Sequence, residues 1–320
     1  MGIVKMPMVL WALPGDYSIN NSKLFMRTMG IQELLKSKLL LFCDGAWGTS
    51  FQLAGLKPGE YPELWNRDQR KKVLEVALAY VDLGVDMIET NSFGGNRITL
   101  AGIGDENNVS ELNRLAAEIS REAAGDKCLV LGSVGPTGKI LMMGDVSENE
   151  MYDAFAEQVH ALEQGGVDAI CIETMSALDE AELAVKAAVE NTNLEIICTF
   201  TFAKTVGGDY KTVMGVTPAQ MAKKMLSAGA NIIGTNCGNG MEAMVPIVKA
   251  FREFDSNVPL LVQANAGIPR FEEGKTVFPE TPVEMAGQVP DLIDAGVSII
   301  GGCCGTTPEH IRAIMSQANL

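Results

Sequence analysis

The stretch Ala295-Gly296-Val297-Ser298-Ile299-Ile300-Gly301-Gly302-Cys303-Cys304-Gly305-Thr306-Thr307-Pro308 holds a complete structural joint in fourteen residues. Ala295-Gly296 suits the end of a helix, because glycine takes the left-handed backbone of a helix C-cap without steric cost. An apolar run follows, as in a buried strand. The strand ends on two thiols between glycines, and Thr306-Thr307-Pro308-Glu309 reads as an N-cap with proline in the first helical turn. The same joint recurs at Leu83-Gly84-Val85-Asp86, Gly165-Gly166-Val167-Asp168 and Ala228-Gly229-Ala230-Asn231. Repeated helix-to-strand joints predict βα units on a parallel sheet.

Working outward gives eight strands: Leu39 to Cys43, Val85 to Glu89, Cys128 to Ser133, Val167 to Glu173, Glu195 to Phe202, Ala230 to Asn236, Pro259 to Asn265 and Val297 to Gly302. Helical periods separate them, such as Val73, Val76, Ala77 and Tyr80, then Leu112, Leu115, Ala116 and Ile119. Eight such units in about 250 residues fit an α/β (β/α)8 TIM barrel, whose active sites lie at the C-terminal ends of the strands. A doubly wound open sheet is the alternative, and no Gly-x-Gly-x-x-Gly follows a strand to favour it. The expected organisation is a single barrel domain over residues 29–320, with 1–28 as a short N-terminal extension that carries no usable period. Met29 opens a helix-like run through Ile31, Leu34 and Leu35 ahead of the first strand.

The 320 residues carry a formal charge of −15, with no local basic patch. Nucleic acid and anionic membrane surfaces would repel such a chain. No apolar run is long enough for a membrane span, and Met6 to Leu13 is too short and lacks a cleavage site for a secretory signal. Seven dispersed cysteines, two of them adjacent, point to a reducing cytoplasm rather than a disulfide framework.

The strand ends form a polar crown: Asp44-Gly45, Glu89-Thr90-Asn91, Ser133, Glu173-Thr174, Asn236-Cys237, Asn265 and Cys303-Cys304. Cys237 and Cys304 each lie eight residues past their joint glycine, and Glu173 and Cys303 each lie seven past theirs, which places them at one rim. Three thiols at one rim suit a zinc ion with an open fourth position. Small buried hydrophobes and a three-cysteine iron–sulfur cluster are the competing readings. Cys43, Cys128, Cys171 and Cys198 lie within apolar runs and read as core. Asp44, Glu89 and Glu173 suit amino-group binding, acid–base work or a supporting role. Lys139 and Lys204 follow strands and raise Schiff-base chemistry against an ordinary surface placement. His160 and His310 read as helix-surface residues, and the helix start at Thr307 as a possible phosphate site.

Taken in order, Asp44-Gly45-Ala46-Trp47-Gly48-Thr49, Thr90-Asn91-Ser92-Phe93-Gly94, Gly135-Pro136-Thr137-Gly138, Asn236-Cys237, Asn265-Ala266-Gly267 and Gly301 to His310 resemble the homocysteine S-methyltransferase family. The resemblance runs from about Leu39 to the C-terminus and is nearest to the homocysteine-binding module of cobalamin-dependent methionine synthase. It implies a zinc-dependent methyltransferase in which Cys237, Cys303 and Cys304 are the metal ligands and catalytic centre. Asp44, Gly45, Ala46, Thr90, Glu173, Asn236 and Asn265 would bind the substrate. Homocysteine would be activated as a zinc thiolate and accept a methyl group from a methyl-corrinoid protein, forming methionine. Methylcobalamin would sit on that separate partner, docked over loops Lys139 to Asp145, Lys204 to Met214 and Ile268 to Thr281, because no Asp-x-His-x-x-Gly cobalamin signature occurs in the chain. An S-methylmethionine- or betaine-type donor, a different thiol acceptor, a lyase or aldolase, and a non-catalytic module of a larger methionine synthase are the alternatives.

Three positions depart from the family pattern. Ser133 stands where an aspartate is usual, Ala264 replaces a proline, and Trp47 fills a place usually held by methionine or a smaller aromatic. Gly305 is like the cobalamin-linked members.

Overall fold

The computed structural model describes residues 29–272 and 275–318, so the expected extension over 1–28 lies outside the described residues. Among the described residues eight parallel strands are present where the joints place them: β1 (Leu41–Phe42), β2 (Met87–Glu89), β3 (Leu129–Val134), β4 (Ala169–Met175), β5 (Glu195–Phe200), β6 (Ile232–Asn236), β7 (Leu260–Ala264) and β8 (Ile299–Gly302). Their order in the sheet is β1-β8-β7-β6-β5-β4-β3-β2, and a parallel bridge from Cys43 to Met87 joins the two ends. That bridge closes the sheet into the TIM barrel expected from the sequence.

Glycine makes the joints as read: Gly166, Gly229 and Gly296 end their helices in the left-handed region at φ 94°, 109° and 94°. Side chains at these positions would be strained, and the chain needs the turn to re-enter the sheet. Serine and threonine set the other helix ends, with reciprocal caps at Ser147/Glu150, Thr217/Gln220 and Thr281/Glu284.

Alternation along each strand separates two apolar layers. Leu41, Cys43, Met87, Leu131, Cys171, Ile197, Leu261 and Ile299 fill the barrel interior. Val130, Ile170, Ile172, Cys198, Ile233, Val262 and Ile300 face outward against the helices. All four cysteines read as core are buried.

The helix Ile31–Ser37 closes the N-terminal end of the barrel, burying Ile31 and Leu34 against the interior layer. Glu195 at the start of β5 accepts from the backbone N–H groups of Ile31 and Gln32, which fixes the helix by its positive end. The opposite end stays open. Two of the loops expected to frame it carry short antiparallel ribbons, Ala203–Lys204 with Tyr210–Lys211 and Arg270–Glu272 with Lys275–Val277. No described helix is long and apolar enough to cross a membrane.

Candidate active site and metal centre

Strand β7 lies between β6 and β8 and brings their C-terminal ends together. Cys237 N–H donates to the Gln263 carbonyl at 3.0 Å, and Cys303 N–H donates to the Ala264 carbonyl at 2.7 Å. After β6 the chain turns sharply, with Cys237 at φ 58° and Gly238 at φ 73°. After β8 it turns at Gly305, whose N–H donates to Thr49 Oγ1 at 3.0 Å. Thr306 Oγ1 donates to the Cys303 carbonyl at 2.8 Å and accepts from Ala46 N–H at 3.0 Å, tying β8 to the segment after β1.

The result is a trio of half-buried sulfurs from Cys237, Cys303 and Cys304, all within 4.8 Å of one another. Cys237 and Cys304 are 3.8 Å apart. Sulfurs bonded at about 2.3 Å to a tetrahedral zinc are separated by about 3.8 Å, so the spacing fits that ion, and these three residues would hold it. Hydrogen bonds from Cys303 and Cys304 hold the Cys237 thiol down at about 3, and that thiolate pushes Cys304 up to about 12 and Cys303 well above its usual value. Three crowded thiolates need a dication.

The sulfurs open into a cavity of about 490 Å³. Strand ends give it Glu89, Thr90, Ser133, Glu173 and Gln263, and the segments after β1 and β2 give Trp47, Phe51, Tyr61 and Phe93. Among the described residues no lysine, arginine or histidine lines it. Burial pushes Glu173 up to about 7 and Glu89 well above the carboxylate range, with Glu173 adding to the shift at Glu89. Ser133 Oγ donates to Glu173, as does Asn236 Nδ2 at 3.2 Å. Ser133 is therefore a hydrogen-bond donor to the neighbouring acid.

Of the residues singled out in the sequence, Gly45, Ala46, Thr90, Glu173 and the three cysteines lie on the cavity wall. Asp44, Asn236 and Asn265 do not. Asp44 is wholly buried; Oδ2 accepts from Trp47 Nε1 at 2.6 Å and Glu89 N–H at 2.8 Å, and Oδ1 from Cys43 Sγ at 3.3 Å. Burial raises it to about 6. These bonds also explain why Cys43, Asp44 and Glu89 converge as a second group: Asp44 is occupied as an acceptor within the protein. Asn236 works behind the wall, and the Asn265 side chain hydrogen-bonds Cys237.

The strand-end pattern offered Glu89 with Asp44 and Glu173 for amino-group binding or acid–base work, the set implied by the resemblance left it out, and Gln263 was missed. The available signal was a glutamine inside an otherwise apolar buried strand. Lys139 and Lys204 are exposed and off the wall. His160 is exposed as expected. His310 is a correction: it is 7 % exposed, with Nδ1 3.0 Å from Thr307 Oγ1 and Nε2 3.0 Å from the Glu280 carbonyl, because its helix turns that residue toward the preceding loop.

A model of the homocysteine S-methyltransferase family matches residues 41–318. Methionine synthase of Mycobacterium leprae is 29% identical over 288 residues, 85% of this chain and 24% of that protein. Methionine synthase of Mycobacterium tuberculosis is 29% identical over 295 residues, 87% of this chain and 24% of that protein. The chain thus spans about a quarter of the length of these relatives. Among solved structures, the metallated form of the homocysteine methyltransferase MmuM from Escherichia coli superposes with a TM-score of 0.74 at 23% identity, over 89% of this chain and 98% of that one.

Proposed function

The chain belongs to the homocysteine S-methyltransferase family, and from that premise we propose that it methylates homocysteine to methionine at a zinc ion held by Cys237, Cys303 and Cys304. The observation that carries this reading is the convergence of those three sulfurs on the wall of one cavity. Bound zinc supplies Lewis acidity that keeps an acceptor thiol ionised at neutral pH, where a free thiol of pKa about 8.5 is mostly protonated. The protein's own groups do the rest. Glu173 offers a carboxylate to the substrate's amino group, Thr90, Gly45 and Ala46 line its path, and Asn265 and Asn236 hold Cys237 and Glu173 in place. Aromatic walls from Trp47, Phe51 and Phe93 exclude water from the thiol. All seven thiols are free, which supports a reducing, cytoplasmic setting.

The donor we propose is a methyl-corrinoid protein docking over the open rim. Support comes from the likeness to methionine synthases, of which this chain spans a quarter, and from apolar side chains exposed on three rim loops: Met142, Met143, Val213, Ile268 and Phe271. The same length ratio supports work as one module of a larger assembly. A second reading, an onium donor such as S-methylmethionine or a betaine, is favoured by the aromatic wall without a basic residue. The test is methionine formation from homocysteine by the zinc-loaded chain, supplied in turn with methyl-corrinoid protein, free methylcobalamin, S-methylmethionine and betaine. Turnover with the corrinoid donors alone supports the first reading, and turnover with the onium donors alone selects the second.

A further inference from the structure

The resemblance names Asp44 among the residues that would bind the substrate, yet the fold buries it away from the cavity wall. Its oxygens accept from Trp47 Nε1, Glu89 N–H and Cys43 Sγ, and the residue has no exposed surface. Trp47, whose Nε1 donates to Asp44, itself lines the cavity.

Glu89, one strand on, does reach the wall. Its Oε1 accepts from Gln263 Nε2 at 2.8 Å, a bond from β7 to β2 past β8 and β1. Among the described residues no donor is recorded at its other oxygen. Gln263 is 2 % exposed, and its Oε1 has no hydrogen-bond partner among the described residues. A buried amide oxygen without a donor is costly, and so are two carboxylates, Glu89 and Glu173, on one wall without a basic residue. Desolvation pushes both acids up, and neighbouring negative groups add to it. A cationic N–H donor of small size would relieve the unpaired acceptors together.

We propose that Glu89, held by Gln263, receives the α-ammonium group of the thiol substrate together with Glu173, and that Asp44 is a positioning residue behind it. This assignment rests on the homocysteine reading above. It makes Glu89 the residue that selects amino thiols over thiols that carry only a carboxylate.

The test is calorimetric binding of homocysteine and of 4-mercaptobutanoate, which keeps the thiol and carboxylate but lacks the amine, to the zinc-loaded full chain. The wild type is expected to prefer homocysteine. Glu89→Gln is expected to weaken homocysteine about 10- to 100-fold, the range for a hydrogen bond to a charged group, and to leave 4-mercaptobutanoate within about twofold. Retained 4-mercaptobutanoate binding shows that the variant is folded, and Glu89→Asp should keep part of the preference. An undiminished preference in Glu89→Gln overturns the assignment. So does equal loss of both ligands in Glu89→Gln and Glu89→Asp, the behaviour of a strut in the barrel interior. Equal affinity of the wild type for both ligands overturns this inference and leaves the methyl-transfer reading standing. A wild type that neither binds nor methylates homocysteine overturns both.

Discussion

The side-chain amide of Asn236, at the end of β6, is bonded to Thr174, at the end of β4, through both of its polar atoms: Oδ1 accepts from Thr174 N–H at 2.9 Å and Nδ2 donates to Thr174 Oγ1 at 2.7 Å. Thr174 has φ 63° and Cys237, next to Asn236, has φ 58°. Both are non-glycine residues in the left-handed region, which costs on the order of 1–3 kcal/mol each and is rarest for a β-branched side chain such as Thr174. Asn236 thus braces the turn that carries its chain neighbour Cys237 and, through its bond to Glu173, holds one cavity acid.

Asn236→Ala is therefore expected to destabilise the fold by about 1–3 kcal/mol, since it strips partners from Thr174, Thr199 and Glu173. It should also weaken zinc binding about 10-fold or more, as expected when a group that supports a metal ligand is removed. Thermal melting and metal competition with a chelating dye measure the two effects. Unchanged zinc affinity in a destabilised variant would separate Asn236 from the thiol site.

Cys237→Ser and Cys303→Ser should each remove most of the zinc and abolish homocysteine methylation, while the barrel melts near the wild-type temperature. The sulfurs sit at the open rim, outside the interior apolar layer, so the fold does not depend on them. Metal analysis beside the melting curve gives the answer, and full zinc content in Cys237→Ser would defeat the three-sulfur site.

The buried acids give the metal-free protein a pH dependence of definite sign. Glu173 is raised from 4.5 to about 7 in the folded state, so between those values the folded protein holds a proton that the unfolded chain has released. Stability is then fully present below pH 4.5 and falls as pH rises toward 7, by on the order of 3 kcal/mol at most. Asp44, raised to about 6, adds to the same slope. Glu173→Gln should flatten the decline in melting temperature over that window, and an unaltered slope would contradict the assignment.

Gly305 is irreplaceable on two counts. Its φ is 82°, and a Cβ there would lie 2.2 Å from Phe278. Gly305→Ala should cost about 1–3 kcal/mol and weaken zinc binding by shifting Cys304. Because the added Cβ would also lie 2.3 Å from Phe278 Cβ, only Phe278→Gly should recover the part due to the clash, and none of the part due to the backbone, a difference that melting curves of the two variants resolve.

Much of this architecture was legible in the chain because its cause is local. Gly166, Gly229 and Gly296 mark helix ends by their own backbone freedom, the alternating strands announce two apolar layers, and a fixed spacing from those glycines puts Cys237, Cys303, Cys304 and Glu173 on one rim. What the rim residues face was not legible. Asp44 reads as a binding acid until Trp47, three residues on, takes its carboxylate. Glu89 and Gln263 are separated by 174 positions and meet because the Cys43–Met87 bridge rolls the sheet's ends together. Sequence period reports which face of a strand is apolar. The partner a polar end finds depends on closure and on residues from distant strands, so tertiary structure alone decided which acids open to the cavity and which are spent inside the wall.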